Sequence, residues 1–261
     1  MKWRRLCGFL AATATVLAFA STSTAKEPLF EGLGNYSRTI TTAAPNAARF
    51  FNQGLGFYHG FNHGAAIRAF QEAARIDPKC AMAHWGVALA NGPHINSMTV
   101  PPPAAEAAWK ALKLAQQNAD TASPVEKALI EALSKRYANP QPEDRKPLDE
   151  AYAAAMREVW KQFPDDPDVG ALFAEAMMDL RPWDQWTADG QPNPGTEEVL
   201  ATLDAVLKLN ANHPFASHLY IHAVEASRNP ERADVAADRL RNLQPGLAHN
   251  VHMPSHIDIR R

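Results

Sequence analysis

The chain has 261 residues, with 26 Lys and Arg against 28 Asp and Glu, so it lacks the basic excess that a nucleic-acid binder carries. Cys7 and Cys80 are its only cysteines, too few for a disulfide-held scaffold. Beyond the first residues no stretch is long and apolar enough to cross a bilayer.

At the start, Lys2, Arg4 and Arg5 precede an uncharged apolar run from Leu6 to Ala20, followed by the small residues Ser23, Thr24 and Ala25. This predicts a secretory signal peptide over 1–25 and export to the periplasm or medium. No Ser or Thr precedes the arginine pair, which favours the general secretory route over a twin-arginine one. Losing the three cations takes Lys and Arg from 26 to 23 and leaves an acidic chain with Cys80 alone.

An extension over 26–44 comes next. From residue 45 onward alanine is abundant and apolar residues recur at helical spacing, with no convincing strand, so the expected fold class is all-α. Val125, Ala128, Leu129, Ala132 and Leu133 form one stripe, which opens with Ser123, Pro124 and Glu126 as a capping box. Asp166-Pro167 and Asn229-Pro230 predict the same cap-then-proline start.

Between Phe50 and Pro78 the residues Phe50, Gly54, Phe57, Ala66, Phe70, Ala73 and Pro78 stand in the register of a helix-turn-helix unit of 34 residues. Gln53 departs from the leucine of that pattern. This segment resembles the tetratricopeptide repeat, whose small residues let paired helices approach closely while aromatic rings fill the gap. Further helix partners are expected at 79–91 with 104–118, 123–138 with 145–163, 167–180 with 196–211, and 214–228 with 230–243. A last helix at 247–259 would open a sixth pair that Arg261 cuts short. The expectation is therefore a right-handed superhelical solenoid over 45–261, of about five and a half tetratricopeptide-like repeats, continuing past its present end or completed by a partner. With the stretches HWGVALANGPHIN, RPWDQWTADGQPNPG, NHPFASHLYIHAVEAS and HNVHMPSHIDIR, the chain resembles a mostly uncharacterised family of exported bacterial tetratricopeptide proteins. That resemblance implies a fold and export but no activity.

Two segments, LANGPHINSMTVPPP and LRPWDQWTADGQPNPG, are longer than a repeat turn requires. Trp183 and Trp186 in the second are candidates for gripping a partner or glycan, against the simpler reading of indoles that seal the helix array.

The ten histidines fall in two groups. In the later group His218, His222 and Glu225 are spaced to share one helix face, and His252 and His256 repeat the i, i+4 spacing. The five residues are candidate ligands for zinc, copper or iron, with His249 or Asp258 holding a ring from outside. Leu219 stands where a metalloprotease motif needs its glutamate. The plain alternative is histidines hydrogen-bonded within a polar interior. In the earlier group Cys80 and His84 are four residues apart and read as a buried thiol beside a packed ring. Two functions follow as expectations: a scaffold that holds a peptide or protein in a concave groove along the first helices, or a metal-binding protein or metal-dependent enzyme.

Overall fold

A computed structural model describes residues 26–260; the leader expected over 1–25 lies outside them. The described residues are helical, without a β-strand, and consecutive helices pack on one another. The helices are α1 (Pro45–His59), α2 (His63–Ile76), α3 (Ala81–Ala90), α4 (Pro102–Gln117), α5 (Pro124–Ser134) and α6 (Lys146–Gln162). They continue with α7 (Pro167–Asp179), α8 (Thr196–Leu209), α9 (Pro214–Val224), α10 (Asp234–Leu243), α11 (Ala248–His252) and α12 (Ser255–Asp258). The pairs α1–α2, α3–α4, α5–α6, α7–α8 and α9–α10 each lie in contact, an order consistent with a helical repeat.

Local chemistry accounts for the starts. Ser123 accepts from the Glu126 amide while the Glu126 carboxylate accepts from the Ser123 amide at 2.7 Å, the expected capping box. Asp166 caps α7 through the amides of Asp168 and Val169. Asn229 makes no such bond; Pro230–Ala233 forms a 3₁₀ turn and α10 begins only at Asp234. The helix expected over 247–259 is broken as well. Pro254 has no amide proton to continue the ladder, so the segment divides into α11 and α12.

Close packing explains the repeat-like glycines. A methyl group at Gly54 would lie 2.6 Å from the Phe70 ring and one at Gly86 2.5 Å from it, so α1 and α3 clasp that ring from two sides. Overfilling such a site typically costs about 1–3 kcal/mol.

The first helices of the pairs are inner ones. Every residue of α9 is buried, as are all of α3 except His84, whereas α2, α6 and α10 each bury only one stripe. Helices α1 and α9, far apart in the sequence, meet: the His218 ring bonds the His59 carbonyl at 2.8 Å, and the His59 ring stacks on Phe215 at 5.0 Å. Helices α3 and α9 are thus packed against their neighbours on nearly all sides. Residues 26–44 strap the array together. Thr41 bonds the Glu126 carboxylate at 2.7 and 2.6 Å, Arg38 bonds Asp166 and Asp168, and the Gly246 amide donates to the Gly32 carbonyl at 2.7 Å. Gly34 has φ +78°, and a side chain there would strike the Leu243 carbonyl oxygen.

At the centre lies a buried ionic cluster. Arg136 pairs with Asp179 and donates to the Pro93 carbonyl, and its plane covers Tyr152. Tyr58 donates to Glu175 at 2.5 Å. Burial pushes the Glu175 carboxyl up to about 7 and that of Asp179 well above the usual range, so the pair keeps a proton near neutral pH.

Candidate metal centre

Four elements converge where α1 meets α9: the α1–α2 turn, α9 itself, the 180–195 loop and the α11–α12 segment. Helix α9 presents His218 and His222 one turn apart, both buried. Helix α11 brings His249 against them, with Nε2 of His249 3.0 Å from Nε2 of His218. Ligand atoms of His218, His222 and His249 all lie within 4.8 Å of one another.

Each of the α9 rings is held from behind. The Nδ1 proton of His218 goes to the His59 carbonyl at 2.8 Å, and that of His222 goes to Glu225 Oε1 at 2.8 Å. Both Nε2 atoms therefore carry lone pairs. Nε2 of His222 is buried and has no protein partner. The other Glu225 oxygen receives Nδ1 of His256 at 2.7 Å, and Nε2 of His256 stands 3.0 Å from Nε2 of His252. His252 is exposed, with Ser255 Oγ at 3.3 Å from its Nδ1.

The five residues singled out in the sequence thus lie in one place but in different layers. His218 and His222 point Nε2 inward beside His249, the residue read as an outer partner. Glu225 has both oxygens engaged by imidazole protons, so it sits behind His222 and His256 as an orienting carboxylate, although His222, Glu225 and His256 also place ligand atoms within 4.8 Å. His252 lies at the exposed rim. Asp258 is elsewhere, bonded to Arg241 at 2.7 Å.

The electrostatics favour neutral rings. Burial holds His218 well below its usual value and lowers His222, while burial together with the neighbouring imidazoles takes His249 down to about 4. Burial pushes the Glu225 carboxyl up, but the bonds from His222 and His256 outweigh it and hold it below its usual range. A neutral imidazole with a fixed tautomer is the form that binds a transition metal.

Sequence reading missed Phe61. Its ring is 4.3 Å from His218, 5.5 Å from His249, 6.3 Å from His222, and 5.6 and 5.4 Å from His63 and His94. Phe61 has φ +54° and Trp183 φ +62°, the non-glycine residues at positive φ among those described, and both are ring neighbours of His222. Such backbone costs of order 1–3 kcal/mol per residue and persists where its surroundings over-determine it, typically at functional sites. Nothing in a Phe-Asn-His turn announces it, since phenylalanine is not a residue that favours the left-handed region.

The two tryptophans differ. Trp186 is half-buried and donates its indole proton to the Ala223 carbonyl at 2.7 Å, which seals the loop onto α9. Trp183 stays 57 % exposed with its indole edge-on to His222 at 4.9 Å. Among the early histidines, His63 and His94 stack at 4.0 Å behind Phe61, and His84 bonds the Pro78 carbonyl rather than Cys80, whose buried thiol is pushed up by desolvation.

No protein-family model, curated protein or solved structure matches this chain.

Proposed function

We propose that the protein binds one transition-metal ion through Nε2 of His218, His222 and His249, and that Glu225 and the His59 carbonyl fix the ring tautomers from the second layer. One observation carries the reading: His222 is buried with its Nδ1 proton committed to Glu225 and its Nε2 lone pair left without a protein partner. A buried acceptor in that state costs free energy unless something fills it, and a cation does so. Imidazole nitrogens suit zinc, copper or iron(II). Three protein ligands leave one position open to water, the pattern of catalytic rather than structural sites, and a bound metal would lower the pKa of that water towards neutrality.

The test is elemental analysis of purified protein alongside His222→Ala and His249→Ala. About one metal per chain is expected in the native protein and a near-complete loss in both variants. Glu225→Gln keeps the ligands but loosens His222, with an expected fall of about 10–100-fold in affinity. Metal content that is unaffected by His222→Ala would overturn the proposal.

The reading of the scaffold as a right-handed superhelical tetratricopeptide solenoid is supported by the pairwise helix order and by the Gly54–Phe70–Gly86 contact. Export to the periplasm or medium is supported by the charged, then apolar, then small-residue pattern of the first 25 residues. The same repeat order is what supports a peptide- or protein-binding role, with Trp183 as its exposed aromatic.

A further inference from the structure

A cavity of about 190 Å³ lies beside His222, lined by the apolar Ile95, Met178, Trp183 and Trp186 and by the polar Gln185 and Glu225. We infer that this cavity binds a small single-ring molecule bearing an O–H or N–H group, and that Gln185 recognises that group. The inference extends the metal reading by naming what would sit beside the ion, but the cavity and Gln185 are present whether or not a metal binds.

Size sets the first limit. An apolar cavity of about 150 Å³ accepts benzene, so this one has room for a single ring with a short substituent. The walls set the second. Trp186 has already spent its indole proton on Ala223, and Ile95 and Met178 are apolar, so most of the lining offers dispersion and ring contact but no hydrogen bonds.

Gln185 sets the chemical class. Its side chain is buried, at 7 % exposure, and its amide donates to the Arg181 carbonyl at 2.8 Å, which fixes the amide orientation. Oε1 is then left buried without a protein partner. The unfilled group is an acceptor, so the complementary ligand brings a donor. Arg260, at the mouth, has one nitrogen 2.9 Å from the His256 carbonyl and another 3.8 Å from Glu225, and it keeps the entrance from being purely anionic. Trp183, exposed and conformationally strained, forms the wall that solvent reaches.

Phenol and toluene differ in the donor and little else, which makes them the probes. Their dissociation constants are to be measured on the full chain by quenching of indole fluorescence, once after chelation and once after loading with zinc. Phenol is expected to bind about tenfold tighter than toluene in both states, as for a site left with an unpaired acceptor when the donor is missing. Gln185→Leu should bring the ratio close to one, and His222→Ala should leave a preference for phenol. Equal binding of the two probes by the native protein, or binding of neither, overturns the inference, and that native ratio decides the matter even if Gln185→Leu fails to fold. A phenol preference in protein that takes up neither zinc, copper nor iron(II) would leave the cavity assignment standing and defeat the metal proposal. Zinc uptake without a phenol preference does the reverse.

Discussion

Two groups of buried polar side chains occur in this molecule, and they meet the cost of burial differently. In the central cluster the atoms left over after hydrogen bonding are of both kinds: Arg136 keeps donors at Nε and Nη1, while Glu175 and Asp179 keep acceptors at Oε1 and Oδ1. The leftover donors of Arg136 and the leftover carboxyl oxygens are neighbours there, so the group balances internally and ties α1 and α7 to the segment that follows α5. Beside α9 the leftover atoms include two acceptors close together, His222 Nε2 and Gln185 Oε1, with the Ser217 hydroxyl also unpaired on the same helix. In the metal reading proposed above, what balances that end comes from outside the chain. Burial of polar groups does not by itself distinguish a structural knot from a binding site, but the sign of what remains unpaired does.

The sharpest way to break this comparison is to remove the cation from the centre. Arg136→Met would leave Asp179 and Glu175 buried without their counter-charge, and the expected loss is about 3–5 kcal/mol at neutral pH. Urea denaturation measures it. The deficit should shrink at lower pH as the two carboxyls, already raised by burial, take up protons. A variant as stable as the native protein at pH 7 would show that the cluster is not a structural centre.

At the α9 end the expected sign is opposite. His222→Ala removes an unfilled acceptor, so the metal-free variant should unfold close to where the metal-free native protein does. Only the native protein should gain stability from added zinc, by about 2.7 kcal/mol at a hundred times its dissociation constant. Identical zinc-dependent shifts in both proteins would place the ion elsewhere.

Much of this layout is legible in the amino-acid order, and the gaps are instructive. The Ser123 box, the Asp166 cap and the Phe50–Pro78 register are local, so they translate directly into α5, α7 and the α1–α2 pair. The i, i+4 spacing of His218 and His222 puts both on one face of α9 for the same reason. What local spacing does not carry is the meeting of α1 with α9, which supplies the His59 carbonyl and Phe61 from more than 150 residues away. It also does not carry the rank of ligands. Spacing alone makes His249 an outer partner and Glu225 an inner one; Pro254 reverses the two by splitting the last helix, because the carboxylate's two imidazole bonds depend on where α12 then falls.

Acid should act on both regions through the imidazoles between them. Burial takes His59 and His63 each down to about 3, with His213 and His94 respectively as the next contributors. The unfolded chain therefore binds protons near pH 6.5 that the folded chain refuses, so stability present above that pH is lost as it falls. Between pH 6.5 and 5.5 the loss should be about 1 kcal/mol for each of the two rings, measured by urea midpoints in the presence of chelator. His63→Asn should flatten the pH dependence by the share of one proton, and an unchanged slope would mean that the ring is already solvated in the native fold.

The smallest expected effect is at Trp183, and it is the one that separates strain from support. Its side chain is more than half exposed, so truncation removes little buried area, while its positive φ means that the loop pays for holding it. Trp183→Gly should consequently change stability by no more than about 0.5 kcal/mol in either direction, since relief of the left-handed backbone offsets the lost contact with His222 and the added freedom of the unfolded chain. Trp186→Ala, which forfeits the indole bond to the Ala223 carbonyl and half-buried ring area, should cost clearly more. Thermal unfolding of the pair orders them, and a Trp183 variant as damaged as the Trp186 one would mean that the exposed indole is a strut of the loop and not a wall kept for a ligand.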